Sequence, residues 1–141
     1  MPARSCASST RAGRRCVTYP LAERRRERER LIQLARDYVK RLSARLPIVA
    51  AAVAGSVARG DFNVWSDVDV VVIAEGLPAR ALDRSTVLLA DAPPRIQPIG
   101  YSRSEFEREL RRGNPLVREA AEHGIVLTGC ELLEELAAGT R

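Results

Sequence analysis

The chain has 141 residues, with 23 lysines and arginines against 18 aspartates and glutamates, so its formal net charge is +5. This length suits one domain whose core needs no disulfide or metal staple, and the three widely spaced cysteines predict neither a disulfide framework nor a zinc site. Because no apolar run approaches the roughly 20 residues that cross a bilayer, we expect a soluble protein without membrane association. The cysteine pattern indicates a reducing, cytoplasmic setting.

The positive charge is concentrated in the first 46 residues, and residues 1–18 combine arginines with small residues and contain no apolar block. Such a segment cannot offset the entropy of ordering, so we predict a disordered basic arm at 1–18 and a single domain at 19–141. A basic arm can hold nucleic acid through phosphate contacts, but a solvated tail is the interpretation we favour. A mitochondrial transit peptide and an over-extended gene start share this composition and stay open.

From Leu21 onward the composition changes to alternating charges followed by an apolar pattern. The charges of Glu23–Glu29 predict ion pairs along a helix surface. Pro47 cannot continue a helix, so it marks the predicted end. Apolar residues at steps of three and four predict the buried face of this helix: Leu31, Leu34, Ala35, Tyr38, Val39, Leu42 and Leu46.

Two apolar runs predict buried strands, "IVAAAVAG" after Pro47 and "VDVVVIA" at 68–74. The prolines of "APPRIQPIGYS" make this segment extended, and Ile96–Ile99 within it is a predicted third strand at the edge of the sheet. Between the second and third strands, residues 77–90 predict a helix that covers the sheet with Leu82, Val87, Leu88 and Leu89.

The last third of the chain predicts three further elements. Ser102 and Glu105 have the spacing of a capping box, which begins a helix that Gly113 ends. Asn114 and Pro115 begin another helix at once. The run "IVL" is too short to classify, and "CELLEELAAG" predicts a terminal helix. Helices alternate with short strands, which indicates an α/β fold with a small mixed sheet flanked by helices.

A pair of carboxylates opens the second strand. Asp67 and Asp69 are two residues apart, so in a strand they share one face with α-carbons about 6.5–7 Å apart. Adjacent carboxylates at a buried strand repel each other, and a cation held by oxygen ligands relieves that repulsion. Mg²⁺ is commonly bound through one or two carboxylates and nucleotide phosphates. We therefore predict a Mg²⁺ site, with the capping of a turn as the alternative.

A glycine and a serine precede this pair on the other side of a polar loop. Gly55 allows backbone amides to approach a phosphate, and the hydroxyl of Ser56 can donate to it. Ser56 as the N-cap of a short helix is the alternative. Arg59 either contacts phosphate or forms a salt bridge with Asp61 or Asp67.

Two other residues are weighed for a role in the site. Trp65 either stacks on a base or pins the polar loop, and the sequence does not separate these interpretations. His123 falls at the end of a helix, where a favourable interaction with the helix dipole explains it, so we leave it out of the site.

The whole motif resembles a known family. Gly55-Ser56, ten intervening residues, then Asp67-x-Asp69, with "ARGD" after the glycine-serine pair and Ser66 before the first aspartate, closely resembles the signature of minimal nucleotidyltransferases of the DNA polymerase beta superfamily. The segment "YSRSEFERELRRGNPLVREAAEHGIVLTG" is similar to the C-terminal part of these small proteins. Together the resemblance covers about residues 48–129.

The resemblance implies a polymerase-beta-like fold and transfer of a nucleoside monophosphate from a nucleoside triphosphate, with ATP the expected donor, onto an acceptor hydroxyl. It implies catalytic, Mg²⁺-binding roles for Asp67 and Asp69. It also implies that the nucleotide is bound by Gly55, Ser56, Arg59 and Ser66.

One position departs from the family pattern. The family usually has a third carboxylate on the next strand, and this position falls at Gln97, which cannot act as a base. Asp91 and Glu105 flank that strand and are out of register.

Similar small proteins are often paired with a HEPN-domain protein as toxin and antitoxin. Two functions therefore stay open: an active transferase, whose acceptor could be such a partner, or a weak or inactive nucleotide-binding module that neutralises the partner by binding.

Overall fold

Helices and short strands alternate over residues 21–139, the part of the chain that the computed structural model describes. The expected basic arm at 1–18 and its boundary with the domain lie outside these residues. The elements in chain order are α1 (Leu21–Ser43), β1 (Ile48–Ala54), α2 (Gly55–Arg59), β2 (Val68–Ala74), α3 (Ala81–Leu89), β3 (Ile96–Tyr101), α4 (Arg103–Arg112), α5 (Pro115–His123), β4 (Ile125–Thr128) and α6 (Cys130–Gly139).

The four strands form one mixed sheet in the order β3-β2-β1-β4. β2 pairs with β3 in parallel, whereas β1 pairs antiparallel with both β2 and β4. The predicted sheet flanked by helices is confirmed, and β3 lies at the edge as expected. The unclassified "IVL" run belongs to β4, whose three half-buried residues and exposed Thr128 carry too little apolar alternation to be recognised as a strand.

The side chains of β2 alternate between two apolar layers, as strand geometry requires. Val70 and Val72 pack in the layer that contains α1. Val71 and Ile73 pack in the layer that contains α4, α5 and α6. By the same alternation Asp69 lies on the side of the second layer, so the face that carries the carboxylate is the one that α5 covers.

Helix α1 packs on the sheet through the predicted apolar face, but it ends at Ser43 rather than continuing to Pro47. The residues between Ser43 and Pro47 form hydrogen-bonded turns instead, and the residue directly before a proline is disfavoured in helical geometry. Within the helix, Tyr38 donates its hydroxyl hydrogen to the Leu88 carbonyl at 2.6 Å, and burial raises the pKa of Tyr38 to about 12. The buried residues are Leu31, Ala35, Tyr38, Val39 and Leu42, while Leu34 and Leu46 are half-buried.

Helix α3 covers less of the sheet than its sequence predicts. Leu88 is buried and Val87 is half-buried, but Leu82 and Leu89 are 70% and 52% exposed, so the prediction that all four pack on the sheet is wrong for these two. Leu82 and Leu89 are seven residues apart and therefore share one helix face. That face is turned to solvent because a nine-residue helix over an edge strand has only a narrow contact surface.

The predicted starts of α4 and α5 are confirmed. Ser102 Oγ accepts from the Glu105 amide at 3.2 Å, while Glu105 Oε1 accepts from the Ser102 amide at 2.8 Å, which is a complete capping box. Asn114 Oδ1 caps α5, with Pro115 at its first turn. Within residues 21–139, none of the helices has the length and apolar character that crossing a membrane requires.

We expect Glu105→Gln to lower stability at neutral pH, because Arg84 Nη1 and Nη2 donate to the two oxygens of Glu105 at 2.8 and 3.2 Å. These bonds first, and the Ser102 amide second, lower the pKa of Glu105 to about 2. A lowered pKa stabilises the fold above the ordinary value of 4.5, and that contribution is lost as the pH falls toward 2. Glutamine can still accept from the Ser102 amide, so the loss is that of the charged pair with Arg84, about 1 kcal/mol.

Thermal unfolding between pH 7 and pH 2 measures this effect. The variant should melt lower at pH 7, and its melting temperature should fall less steeply with acid than that of the unmutated protein. Glu107→Gln, on the same helix, is the control and should leave the pH dependence unchanged. Parallel curves for Glu105→Gln and the unmutated protein would contradict the prediction.

Candidate active site

The glycine-serine turn and the carboxylate strand of the motif meet in space. β1 ends directly in α2, and Gly55, the first residue of α2, has a φ of +76°, a conformation that side chains with a Cβ rarely adopt. A Cβ on Gly55 would collide with the Asp69 carboxylate, whose Cγ would lie 3.2 Å away. Position 55 therefore requires glycine for two reasons: the backbone conformation is one that other residues rarely adopt, and the carboxylate of Asp69 leaves no space for a Cβ.

Ser56 does not cap α2. The N-cap position is held by Ala54, without a side-chain hydrogen bond, so the capping alternative for Ser56 is wrong. The Ser56 carbonyl accepts from the amides of Gly60 and Asp61 at 2.9 and 3.1 Å, which closes the end of this short helix. Its hydroxyl makes no hydrogen bond to any residue in the described range, so it is free to donate to a ligand.

The negative charges of Asp67 and Asp69 repel each other. Burial first, and then the charges of Asp67 and Glu119, raise the pKa of Asp69, while Arg59 opposes them. Asp67 is exposed and lies just before β2. A cation between these carboxylates would relieve the repulsion, so the two residues fit Mg²⁺ as ligands.

The described part of the protein would supply only a few of the ligands of a bound metal ion. In residues 21–139, no group of three or more histidine, cysteine, aspartate or glutamate side chains is arranged to hold a metal ion. Two carboxylates together with nucleotide phosphates are nevertheless a ligand set that Mg²⁺ commonly uses. The geometry thus suits an ion that arrives with its nucleotide.

Gln97 lies beside Asp69. The parallel register of β2 and β3 pairs these two residues directly, and neighbouring strands are about 4.8 Å apart. The side chain of Gln97 is exposed, on the same face as Asp69. The two carboxylates that flank β3 are engaged elsewhere: Asp91 pairs with Arg45 at 2.8 Å, and Glu105 pairs with Arg84.

Arg59 forms the predicted salt bridge with Asp61, and a stronger one with Glu119 that we did not predict. Its Nη1 donates to both oxygens of Glu119, at 3.2 and 2.9 Å, and its Nε donates to Asp61 at 3.2 Å. These bonds raise the pKa of Arg59, Glu119 contributing most. Glu119 Oε1 also accepts from the Gly55 amide at 3.1 Å. Sequence reasoning missed Glu119 because it comes from α5, far along the chain from the motif.

The polar loop is held by Asn63 and Ser66 rather than by Trp65. Ser66 Oγ accepts from the Asn63 amide at 2.9 Å, and Asn63 Oδ1 accepts from the Trp65 amide at 2.7 Å. The indole of Trp65 is 81% exposed, so packing of this side chain does not pin the loop. Its stacking on a base stays a prediction, as does nucleotide binding by Ser66.

Comparison with known proteins decides the family. The nucleotidyltransferase domain family matches residues 32–124, which is more than half of the chain. The chain belongs to this family. The general activity that this membership supports is nucleotidyl transfer.

The fold of this chain is also found in a solved structure. The chain is similar to a crystal structure from Sulfolobus solfataricus that is assigned provisionally as a nucleotidyltransferase, with a TM-score of 0.55 and 22% sequence identity. The similarity covers 60% of this chain and 78% of that one. At this identity the likeness shows the fold alone. No curated protein matches the chain.

The alternating charges of α1 serve two purposes in this chain. Glu27 pairs with Arg30 along the helix, as predicted, and with Arg95 across to the neighbouring segment at 3.1 Å. Arg24 and Arg28 act differently, because both donate to backbone carbonyls. The charge pattern of a helix does not reveal such bonds, so they could not be predicted from the sequence.

The two arginines hold the chain just after the glycine-serine turn. Arg28 donates to the carbonyls of Val57 and Ala58 at 2.9 and 2.8 Å. Arg24 donates to the Phe62 carbonyl at 2.6 Å, and its guanidinium lies 5.2 Å from the centre of the Phe62 ring. The first turns of α1, which precede the segment matched by the nucleotidyltransferase family, therefore hold the backbone that follows the glycine-serine turn.

Proposed function

We propose that this chain is a Mg²⁺-dependent nucleotidyltransferase of the minimal type, which transfers a nucleoside monophosphate from a nucleoside triphosphate, ATP the expected donor, to an acceptor hydroxyl. The observation that carries this proposal is the packing of Gly55 against the Asp69 carboxylate. That contact brings a turn suited to phosphate beside carboxylates suited to a metal ion, which is the juxtaposition that nucleotidyl transfer requires.

The proposed roles follow from the geometry. Ser56 offers an unused hydroxyl to the triphosphate, and Asp67 and Asp69 would hold Mg²⁺, which when bound neutralises phosphate charge and polarises the reacting phosphoryl group. Transfer of this kind needs mainly positioning and charge neutralisation, so few protein groups suffice. Arg59 and Ser66 are the further nucleotide-binding residues in this proposal.

The acceptor is proposed to come from another chain, because the described part of this small protein has few elements beyond those that build the site. A HEPN-domain protein encoded beside this chain is the partner that the family resemblance favours. Nucleic acid is a less favoured acceptor. Modification of such a partner would make this chain an antitoxin that acts by catalysis.

A second candidate function is a weak or inactive nucleotide-binding antitoxin that neutralises its partner by binding. Gln97 favours it, because the residue in register with Asp69 is a neutral amide that can neither accept a proton nor add charge to a metal site. In this case Mg²⁺ and nucleotide would still bind, but transfer would be slow.

Incubation with nucleoside triphosphates labelled at the α-phosphate, Mg²⁺ and the product of the adjacent gene tests both candidates. Label on the partner that disappears when EDTA removes the metal is the result expected of the active transferase. Neutralisation of the partner without label, together with nucleotide binding, would establish the second candidate. Absence of both nucleotide binding and transfer would overturn the proposal.

A further inference from the structure

Glu119 occupies the donors that the proposed triphosphate site needs. Its Oε1 accepts from the Gly55 amide at 3.1 Å, and its Oε2 accepts from Arg59 Nη1 at 2.9 Å. The Glu119 side chain is 17% exposed, whereas that of Arg59 is 51% exposed. The largely buried Glu119 carboxylate thus accepts hydrogen bonds from the backbone amide of Gly55 and from the guanidinium of Arg59.

These donors are the kind that phosphate oxygens use. Arginine and backbone amides bind carboxylates and phosphates with the same charge-assisted geometry, so one anion excludes the other from a given donor. Glu119 also places a negative charge near enough to Asp69 to raise the pKa of that carboxyl. A triphosphate that reaches this turn therefore meets both a competitor for its donors and a like charge.

We propose that Glu119 is an internal anion that occupies the phosphate site and must be displaced when a triphosphate binds. This inference rests on the proposed function. Displacement frees Arg59 to contact the incoming phosphates, and it leaves the Gly55 amide for a phosphate oxygen. Because Glu119 is tethered to α5, its effective concentration at the turn is high, and it lowers the affinity of every triphosphate that competes with it.

The substitution Glu119→Gln tests this competition. The amide keeps the shape of the side chain but removes the charge that binds Arg59 and repels phosphate. We expect affinity for inorganic tripolyphosphate, measured by calorimetry in metal-free buffer, to increase by about tenfold, the size of one charge-assisted hydrogen bond. Affinity for a non-hydrolysable ATP analogue with Mg²⁺ should increase in the same direction.

Glu122→Gln is the matched control, because Glu122 is an exposed residue of the same helix and its replacement changes the net charge equally. Its tripolyphosphate affinity should stay within twofold of that of the unmutated protein. Glu119→Asp is a second variant, which keeps the charge but shortens the reach to the two donors. It should also bind tripolyphosphate more tightly, so the inference does not depend on the folding of one variant.

The outcomes separate this inference from the proposed function. If the unmutated protein binds the nucleotide analogue, but neither Glu119 variant binds tripolyphosphate more tightly, displacement is overturned and nucleotide binding stands. Weaker binding by both variants would mean that Glu119 holds Arg59 in place for the ligand, which also overturns displacement. If no form binds either ligand, the proposed function fails, and this inference fails with it.

Discussion

Asp69→Asn is expected to reduce nucleotidyl transfer by at least about 10²-fold, the loss typical when a group that stabilises transition-state charge is removed. Asparagine preserves the shape that packs against Gly55, so the turn should keep its position. Because burial and neighbouring charges raise the pKa of Asp69, its ionised form is unfavourable in the fold. Loss of that charge should therefore leave the melting temperature unchanged or higher, while activity falls.

The same substitution bears on the metal. Mg²⁺ should strengthen triphosphate binding to the unmutated protein, because its charge lies between carboxylates and phosphates that otherwise repel. Replacing both Asp67 and Asp69 by asparagine should abolish this enhancement. Asp83→Asn, which removes an exposed carboxylate on α3, is the control and should preserve it. Equal triphosphate affinity of the unmutated protein with and without Mg²⁺ would contradict the assignment of these carboxylates.

Gln97→Asp is expected to accelerate transfer, by up to the roughly 10²–10⁴-fold that a positioned general base contributes. Gln97 pairs in register with Asp69 on the neighbouring parallel strand. An aspartate there would add a third carboxylate at the place where the family usually has one. Nucleotide affinity should change only a few-fold, since the glycine-serine turn proposed to bind phosphate is on the other side of Asp69.

A matched variant separates charge from side-chain length. Gln97→Asn shortens the side chain exactly as aspartate does but stays neutral, so it should not accelerate transfer. Single-turnover rates with the natural acceptor are the appropriate measurement, and the adjacent gene product is the first acceptor to use. Brisk turnover by the unmutated protein, slowed by Gln97→Asp, would show that the base lies elsewhere and would remove the main support for the inactive module.

The parts of the fold that the sequence predicts are those governed by local chemistry. β1 and β2 are uninterrupted apolar runs, and the capping box at Ser102 is a contact within one turn. Each of these signals is complete within a few consecutive residues. Leu82 and Leu89 are predicted to be buried but are exposed. The apolar character of a helix does not reveal how much of the sheet surface the helix can contact.

The candidate site likewise has a part that the sequence predicts and a part that it does not. The spacing of Gly55 and Asp69 predicts that a phosphate turn and a carboxylate pair belong together, and their contact confirms that they meet. Glu119 and Arg28 reach the turn from helices distant in the chain, so their roles depend on tertiary packing. No periodicity or local motif encodes a bond from a side chain to a carbonyl 29 residues away.

The arginines of α1 have a practical consequence for how this domain is cut. An expression fragment that starts where the family match starts, at residue 32, would lack Arg24 and Arg28. The carbonyls of Val57, Ala58 and Phe62 would then lose their side-chain donors. Such a fragment would keep the whole motif but lose the contacts that hold the chain after it. The shortest segment that homology recognises is therefore shorter than the segment that should be expressed for experiments.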